Sequence, residues 1–187
     1  MPLSKELVQS VRKRVADDPG VSTELLALEF KASEAEVITA LPLEMRLRGR
    51  NSAFEVIWNT VSKWEKVEVK LPLDPKPSFR DAQGGARTSS FPFRLSDTLP
   101  ERPIKADEVA FIWFITKPRQ NEKSLSVRFF DKLGDHMLSV YLKPDQNGEF
   151  DSGYQADFDA MRERFGVIPV PKNRCKGCQS CTCQTAN

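Results

Sequence analysis

Val109-Ala110-Phe111-Ile112-Trp113-Phe114-Ile115 is an unbroken apolar run, rich in aromatic and β-branched residues. It is far too short to cross a bilayer, and it reads as a central strand covered on both faces. A strand of that kind fixes the problem the rest of the chain must solve, because every neighbouring segment has to supply either a pairing strand or a covering layer.

The strand partners follow downstream. Leu125, Val127 and Phe129 alternate with polar residues up to Phe130, the segment Asp131-Lys132-Leu133-Gly134-Asp135 reads as a turn, and Met137 to Leu142 completes a hairpin. Upstream, Val67, Val69 and Leu71 alternate with Glu68 and Lys70, the period-two pattern of a half-exposed strand. Residues 72–103 hold six prolines and Gly84-Gly85 and read as irregular chain with a short strand near Phe91 to Leu95.

The covering elements come first and last. Ser4 caps a helix carrying Leu7, Val8, Val11 and Val15, which ends at Asp17-Asp18-Pro19-Gly20. A second helix from about Ser22 places Leu25, Leu26 and Phe30 on its buried side. Ser33 and Glu36 form a capping box ahead of Val37, Ile38 and Leu41. Phe54, Ile57, Trp58, Val61 and Trp64 mark a further amphipathic helix over 53–64, so residues 1–66 read as helical. Tyr154, Phe158, Met161 and Phe165 mark a closing helix ended by Gly166. The fold class is α+β: an N-terminal helical layer, a curved antiparallel β-sheet and a closing C-terminal helix.

Charge narrows the partners. Residues 1–66 carry ten basic and ten acidic groups, residues 67–166 carry fifteen and sixteen, and the last 21 residues hold Lys172, Arg174 and Lys176 without an acid. A neutral body does not make a nucleic-acid footprint. The pair of helices joined at Phe30-Lys31-Ala32-Ser33 has helix-turn-helix spacing, but its second helix would offer Glu34 and Glu36 to phosphates, the wrong sign. No membrane segment is read, and Met1 to Leu7 lacks an apolar signal core, so the expected location is the cytoplasm.

Several blocks of the chain resemble the HutX/ChuX-type haem utilisation proteins, a family of cytosolic haem carriers. They are Ala35 to Arg46, the helix Phe54 to Trp64 leading into the strand at Val67, Lys105 to Phe111, Lys117-Pro118, the hairpin Ser124 to Leu142 and the helix Tyr154 to Phe165. The resemblance runs collinearly from about residue 3 to residue 166. It implies a 1–166 domain of that type, a homodimer, and haem or a related tetrapyrrole held in a cleft. The sites where the family commonly carries histidines read Val69-Lys70-Leu71-Pro72 and Arg102-Pro103-Ile104-Lys105 here, so no haem ligand transfers residue by residue. The single histidine, His136, is the haem-ligand candidate, although a lone histidine at a turn is more often solvated. Tyr141, Tyr154 and Met137 read as packing residues first.

Residues 167–187 form a proline-containing spacer and a tail in which Cys175, Cys178, Cys181 and Cys183 have C-x2-C-x2-C-x-C spacing. Four thiols within nine residues suit a soft metal or an Fe–S cluster, with Zn and Cu(I) as further choices. A metal-binding or redox protein that uses this tail on a dimeric scaffold is the alternative reading. The body assembles no nucleophile–histidine–carboxylate set, Gly84-Gly85 opens no helix, and Asp157 and Asp159 lie on the polar side of the closing helix, so the reading leans away from an enzyme.

Overall fold

The computed structural model describes residues 3–65, 67–71, 104–119 and 122–168, and the backbone of 89–93. Three helices, α1 (Lys5–Asp17), α2 (Thr23–Phe30) and α3 (Glu34–Ala40), form the N-terminal layer. Their starts are set by side-chain caps: Ser4 accepts from Leu7 N, Ser22 from Leu25 N, and Ser33 and Glu36 close the expected capping box. After a short turn come the strand β1 (Arg46–Gly49) and the helix α4 (Phe54–Val61). The strands β2 (Val67–Lys70), β3 (Ser89–Phe93), β4 (Phe111–Ile115), β5 (Leu125–Phe130) and β6 (His136–Leu142) follow. The helix α5 (Ser152–Phe165) and the two-residue strand β7 (Gly166–Val167) complete the described chain.

All strands join one antiparallel sheet in the order β3-β2-β6-β5-β4-β1-β7. The expected hairpin is β5–β6. Its turn is held by the Asp131 carboxylate, which accepts from Leu133 N and Asp135 N at 2.8 and 2.9 Å. Gly134 sits there at φ +83°, which glycine adopts without a Cβ penalty.

Each face of the sheet carries a helical layer. Ile112, Phe114, Val127, Phe129, Leu138 and Val140 pack with Phe54, Ile57, Val61 and Trp64 of α4 and its exit, and with Phe158 and Met161 of α5. Trp64 Nε1 donates to Asp157 at 3.1 Å and the Tyr154 hydroxyl accepts from Glu65 N at 3.0 Å, tying the exit of α4 to α5. On the opposite face Trp113, Ile115 and Phe130 pack with Val11, Val15, Leu26, Val37 and Ile38 of the N-terminal layer. The Val109 to Ile115 run is therefore covered on both sides, as its composition requires.

Two expectations need correction. Arg46–Gly49 is a strand inside the stretch read as helical; its register against Ile115 to Ile112 places Gly49 beside Ile112, where a Cβ would come within 3.1 Å of that side chain. Leu25 lies on the exposed side of α2, while the polar Thr23 takes a buried position. The half-exposed alternation of β2 holds: Val67 and Val69 are buried, and the partly exposed Glu68 and Lys70 pair with Arg119 and with Glu24 of α2. The expected strand at Phe91 to Leu95 falls partly on β3, and the rest of 72–103 lies outside the described residues, as do the spacer from Pro169 and the cysteine tail.

Candidate functional site

Period two on β2, β6 and β5 puts one set of side chains on the face beneath α2, and the register lines them into rows. Glu68, Tyr141 and Ser126 sit opposite one another across three strands, continuing to Ile115 on β4. Lys70, Ser139 and Arg128 form the next row, continuing to Trp113. This face is thus split: apolar at β4 and at Phe130 of β5, where the N-terminal layer packs, and polar over the rest of β5, β6 and β2.

Over the polar half lies a cavity of about 420 Å³ between the first turn of α2 and the sheet. Its walls bring together Thr23 and Glu24 from α2, Lys70, Arg128 and Tyr141 from the sheet, and Lys117 and Arg119 from the chain leaving β4. Arg128 is buried. It donates to Thr23 Oγ1 at 2.6 Å, to Glu34 Oε1 at 2.8 Å and to Ser126 Oγ at 3.1 Å. Lys117, also buried, donates to the main-chain oxygens of Pro19 and Pro118 at 2.6 and 3.2 Å and to that of Val21. Lys70 pairs with Glu24. Arg119 Nη1 straddles the Glu68 carboxylate at 2.9 and 3.0 Å. The guanidinium groups of Arg119 and Arg128 each stand over the Tyr141 ring, 5.1 Å from its centre.

These contacts set the ionisation of the site. Burial alone would raise the Glu24 carboxyl, but the Lys70 hydrogen bond and the Arg128 charge bring it down to about 2. At Glu34 burial outweighs the guanidinium beside it and pushes the carboxyl above its usual range. Burial lowers Lys117 to about 8, with the Arg128 charge acting in the same direction. Burial also raises the Tyr141 hydroxyl, despite Arg128, so Tyr141 stands in this site as a neutral phenol.

His136 is on the same sheet face but does not line the cavity. It is not a solvated turn residue: its ring packs edge-on against Phe130 and its Nε2 is 2.7 Å from Ser139 Oγ. Burial, with Arg128 nearby, lowers it to about 4, so the imidazole is neutral at pH 7. Tyr154 and Met137 serve packing, as read from the sequence, and Asp157 holds Trp64. Glu34 and Glu36, the residues a recognition helix would have offered to phosphates, are spent on Arg128 and on the capping box. Cys175, Cys178, Cys181 and Cys183 lie outside the described residues; among the described ones no three His, Cys, Asp or Glu side chains converge as a metal site. No described helix is long and apolar enough to cross a membrane.

The cation set was not anticipated. Its signal lay in charged residues at alternate positions of otherwise apolar strands, Glu68, Lys70 and Arg128, and in the Lys117 to Arg119 exit from the central apolar strand.

An antiparallel sheet under a three-helix layer, with a closing helix on the other side, is a fold found in solved proteins. A protein of Erwinia carotovora superposes with a TM-score of 0.59 at 19% identity, over 88% of this chain and 99% of that one. The structure described as the heme binding protein ChuX superposes with a TM-score of 0.58 at 18% identity, over 84% of this chain and 97% of that one. In sequence, the family model for haem utilisation ChuX/HutX matches residues 78–161. The intracellular heme transport protein HutX of Vibrio cholerae is 23% identical over 171 residues, covering 86% of this chain and 84% of its own length. In sequence and in fold the chain is thus similar to the HutX/ChuX-type haem utilisation proteins.

Proposed function

We propose that this chain binds and moves haem or a related tetrapyrrole in the cytoplasm, as part of haem-iron utilisation. The observation that carries the reading is the cavity beneath α2. Lys70, Lys117, Arg119 and Arg128 converge there under the helical layer of a fold whose relatives are named for haem binding and transport. Tetrapyrroles of this class carry carboxylates on an apolar ring. The four cations suit the carboxylates, and Val21, Leu25 and Pro118 supply apolar wall.

For iron, the described residues offer little axial chemistry. Tyr141 is the donor in the cavity and is held as a phenol, and His136 has its Nε2 on Ser139. The site suits an anchorage by carboxylates, with His136 as an imidazole that would have to leave Ser139 to reach a metal. The deciding experiment is an anaerobic hemin titration of the full chain followed by absorbance. We expect a saturable Soret change at about one haem per chain, weakened in Lys70→Gln and Arg119→Gln. A flat titration overturns the reading.

Two further parts of the reading rest on sequence and kinship. The chain is a homodimer, which sedimentation velocity checks against the 21.2 kDa protomer. Cys175, Cys178, Cys181 and Cys183 bind a soft metal or cluster through their spacing. Stoichiometric metal that persists after all four are replaced by serine removes that assignment.

A further inference from the structure

In this protein each cation that lines the cavity already has an internal partner. Arg128 holds Glu34, Thr23 and Ser126, Lys117 holds three main-chain oxygens, Lys70 holds Glu24, and Arg119 holds Glu68. An incoming carboxylate therefore gains a cation only by displacing something. The four do not yield equally. Arg128 and Glu34 are 7% and 11% exposed, and Lys117 is 4% exposed with its partners fixed in the backbone. Arg119 is 39% exposed, the most open of the four, and its ion pair with Glu68 belongs to the half-exposed class that contributes little.

Position singles out the same pair. A second cavity of about 380 Å³ adjoins the first and shares Arg119, Ser124 and Tyr141 with it. Glu68 lines the second cavity and not the first, so the Arg119–Glu68 contact stands where the two meet. Lys123 and Lys143 line the second cavity as well, so a ligand that reached across would meet cations at both ends.

Resting on the tetrapyrrole reading above, we propose that Glu68 is a built-in competitor for the cargo's carboxylate, and that Arg119 turns from Glu68 to the cargo, joining the two cavities into one cleft. Glu68 then sets how tightly cargo is held without touching it, and Arg119 is the residue through which it acts. The Tyr141 ring under the guanidinium gives Arg119 a surface to slide on without losing its cation–π contact.

The test is a set of titrations with hemin and with hemin dimethyl ester, whose carboxylates are masked, on the full chain. Glu68→Gln should tighten hemin by about fivefold, the ceiling set by a half-exposed ion pair, and leave the ester unchanged. Arg119→Gln should weaken hemin by about tenfold, the loss of one charge-assisted contact. In the Arg119→Gln background the added Glu68→Gln change should have no effect. Arg119→Lys, which keeps the charge but loses the planar fork, should fall between. Melting curves of all variants confirm that each folds. Hemin binding that Glu68→Gln leaves unchanged or weakens overturns the role of Glu68 and leaves the cargo reading standing. Tightening that persists without Arg119 overturns the exchange, because Glu68 would then act by bulk charge alone. A wild-type chain that binds neither compound removes the cargo reading, and this proposal with it.

Discussion

The two faces of the sheet solve the same covering problem by different chemistry. Beneath α4 and α5 the contact is apolar throughout: Phe129 meets Phe54 and Trp58 edge-on, and Phe114 meets Phe158, at ring-centre distances of 5.6 to 5.9 Å. Beneath α1 to α3 the apolar contact is confined to β4 and to Phe130 at the end of β5, and the rest of the β5–β6–β2 side is joined by buried charge. Apolar packing is non-directional and tolerates small shifts. A buried ion pair repays its desolvation only when its geometry and its remaining hydrogen bonds are complete. The first face is therefore a scaffold, and the second is a place where charge is held ready at a cost in stability.

Truncating Phe129 to Ala should show the largest effect, because it opens a cavity in the fully buried cluster, about 4 kcal/mol, read from the midpoint of a urea transition. Arg128→Met should cost about 3 kcal/mol, mostly from leaving Glu34 buried without its cation. Adding Glu34→Gln should recover most of that loss. If the double variant is no more stable than Arg128→Met alone, the polar half is not held by that pair, and the contrast between the faces fails.

A smaller effect separates the faces by pH. The unfolded chain protonates His136 near 6.5, but the fold holds it unprotonated down to about 4. Its contribution is therefore intact above about pH 6.5 and is lost as the pH falls through that window. The loss is on the order of 2 kcal/mol, once its half-buried position is allowed for. His136→Gln should flatten the acid limb between pH 6.5 and 4, while Phe129→Ala should lower the whole profile in parallel.

Much of this arrangement was legible. Strict alternation in Leu125 to Phe129 and the unbroken run to Ile115 gave the pairing strands and their two-sided burial, and Ser33 with Glu36 gave the start of α3. Arg46–Gly49 was not legible, since a four-residue strand with two arginines has no apolar period and forms because β4 offers an edge. The cavity was illegible for a related reason. Alternation tells which residues share a face, but the same pattern describes a polar face in water and one tucked beneath a helix. What distinguishes them here is Thr23 at the first turn of α2 meeting Arg128, residues 105 positions apart in the chain. At His136 the sequence shows a turn position, which favours solvation, but not the Phe130 ring from the adjacent strand that packs against it.

Lys117 has one more consequence. Its ammonium grips the carbonyl oxygens of Pro19, Val21 and Pro118, which every amino acid presents alike. The tie between the N-terminal layer and the sheet is thus written in main chain on one side and in a single side chain on the other. Across descendants of this sequence, the residue identities around the bend from Pro19 to Val21 can drift while the tie persists. Position 117 itself has no such latitude, because no shorter or uncharged side chain reaches three oxygens at once.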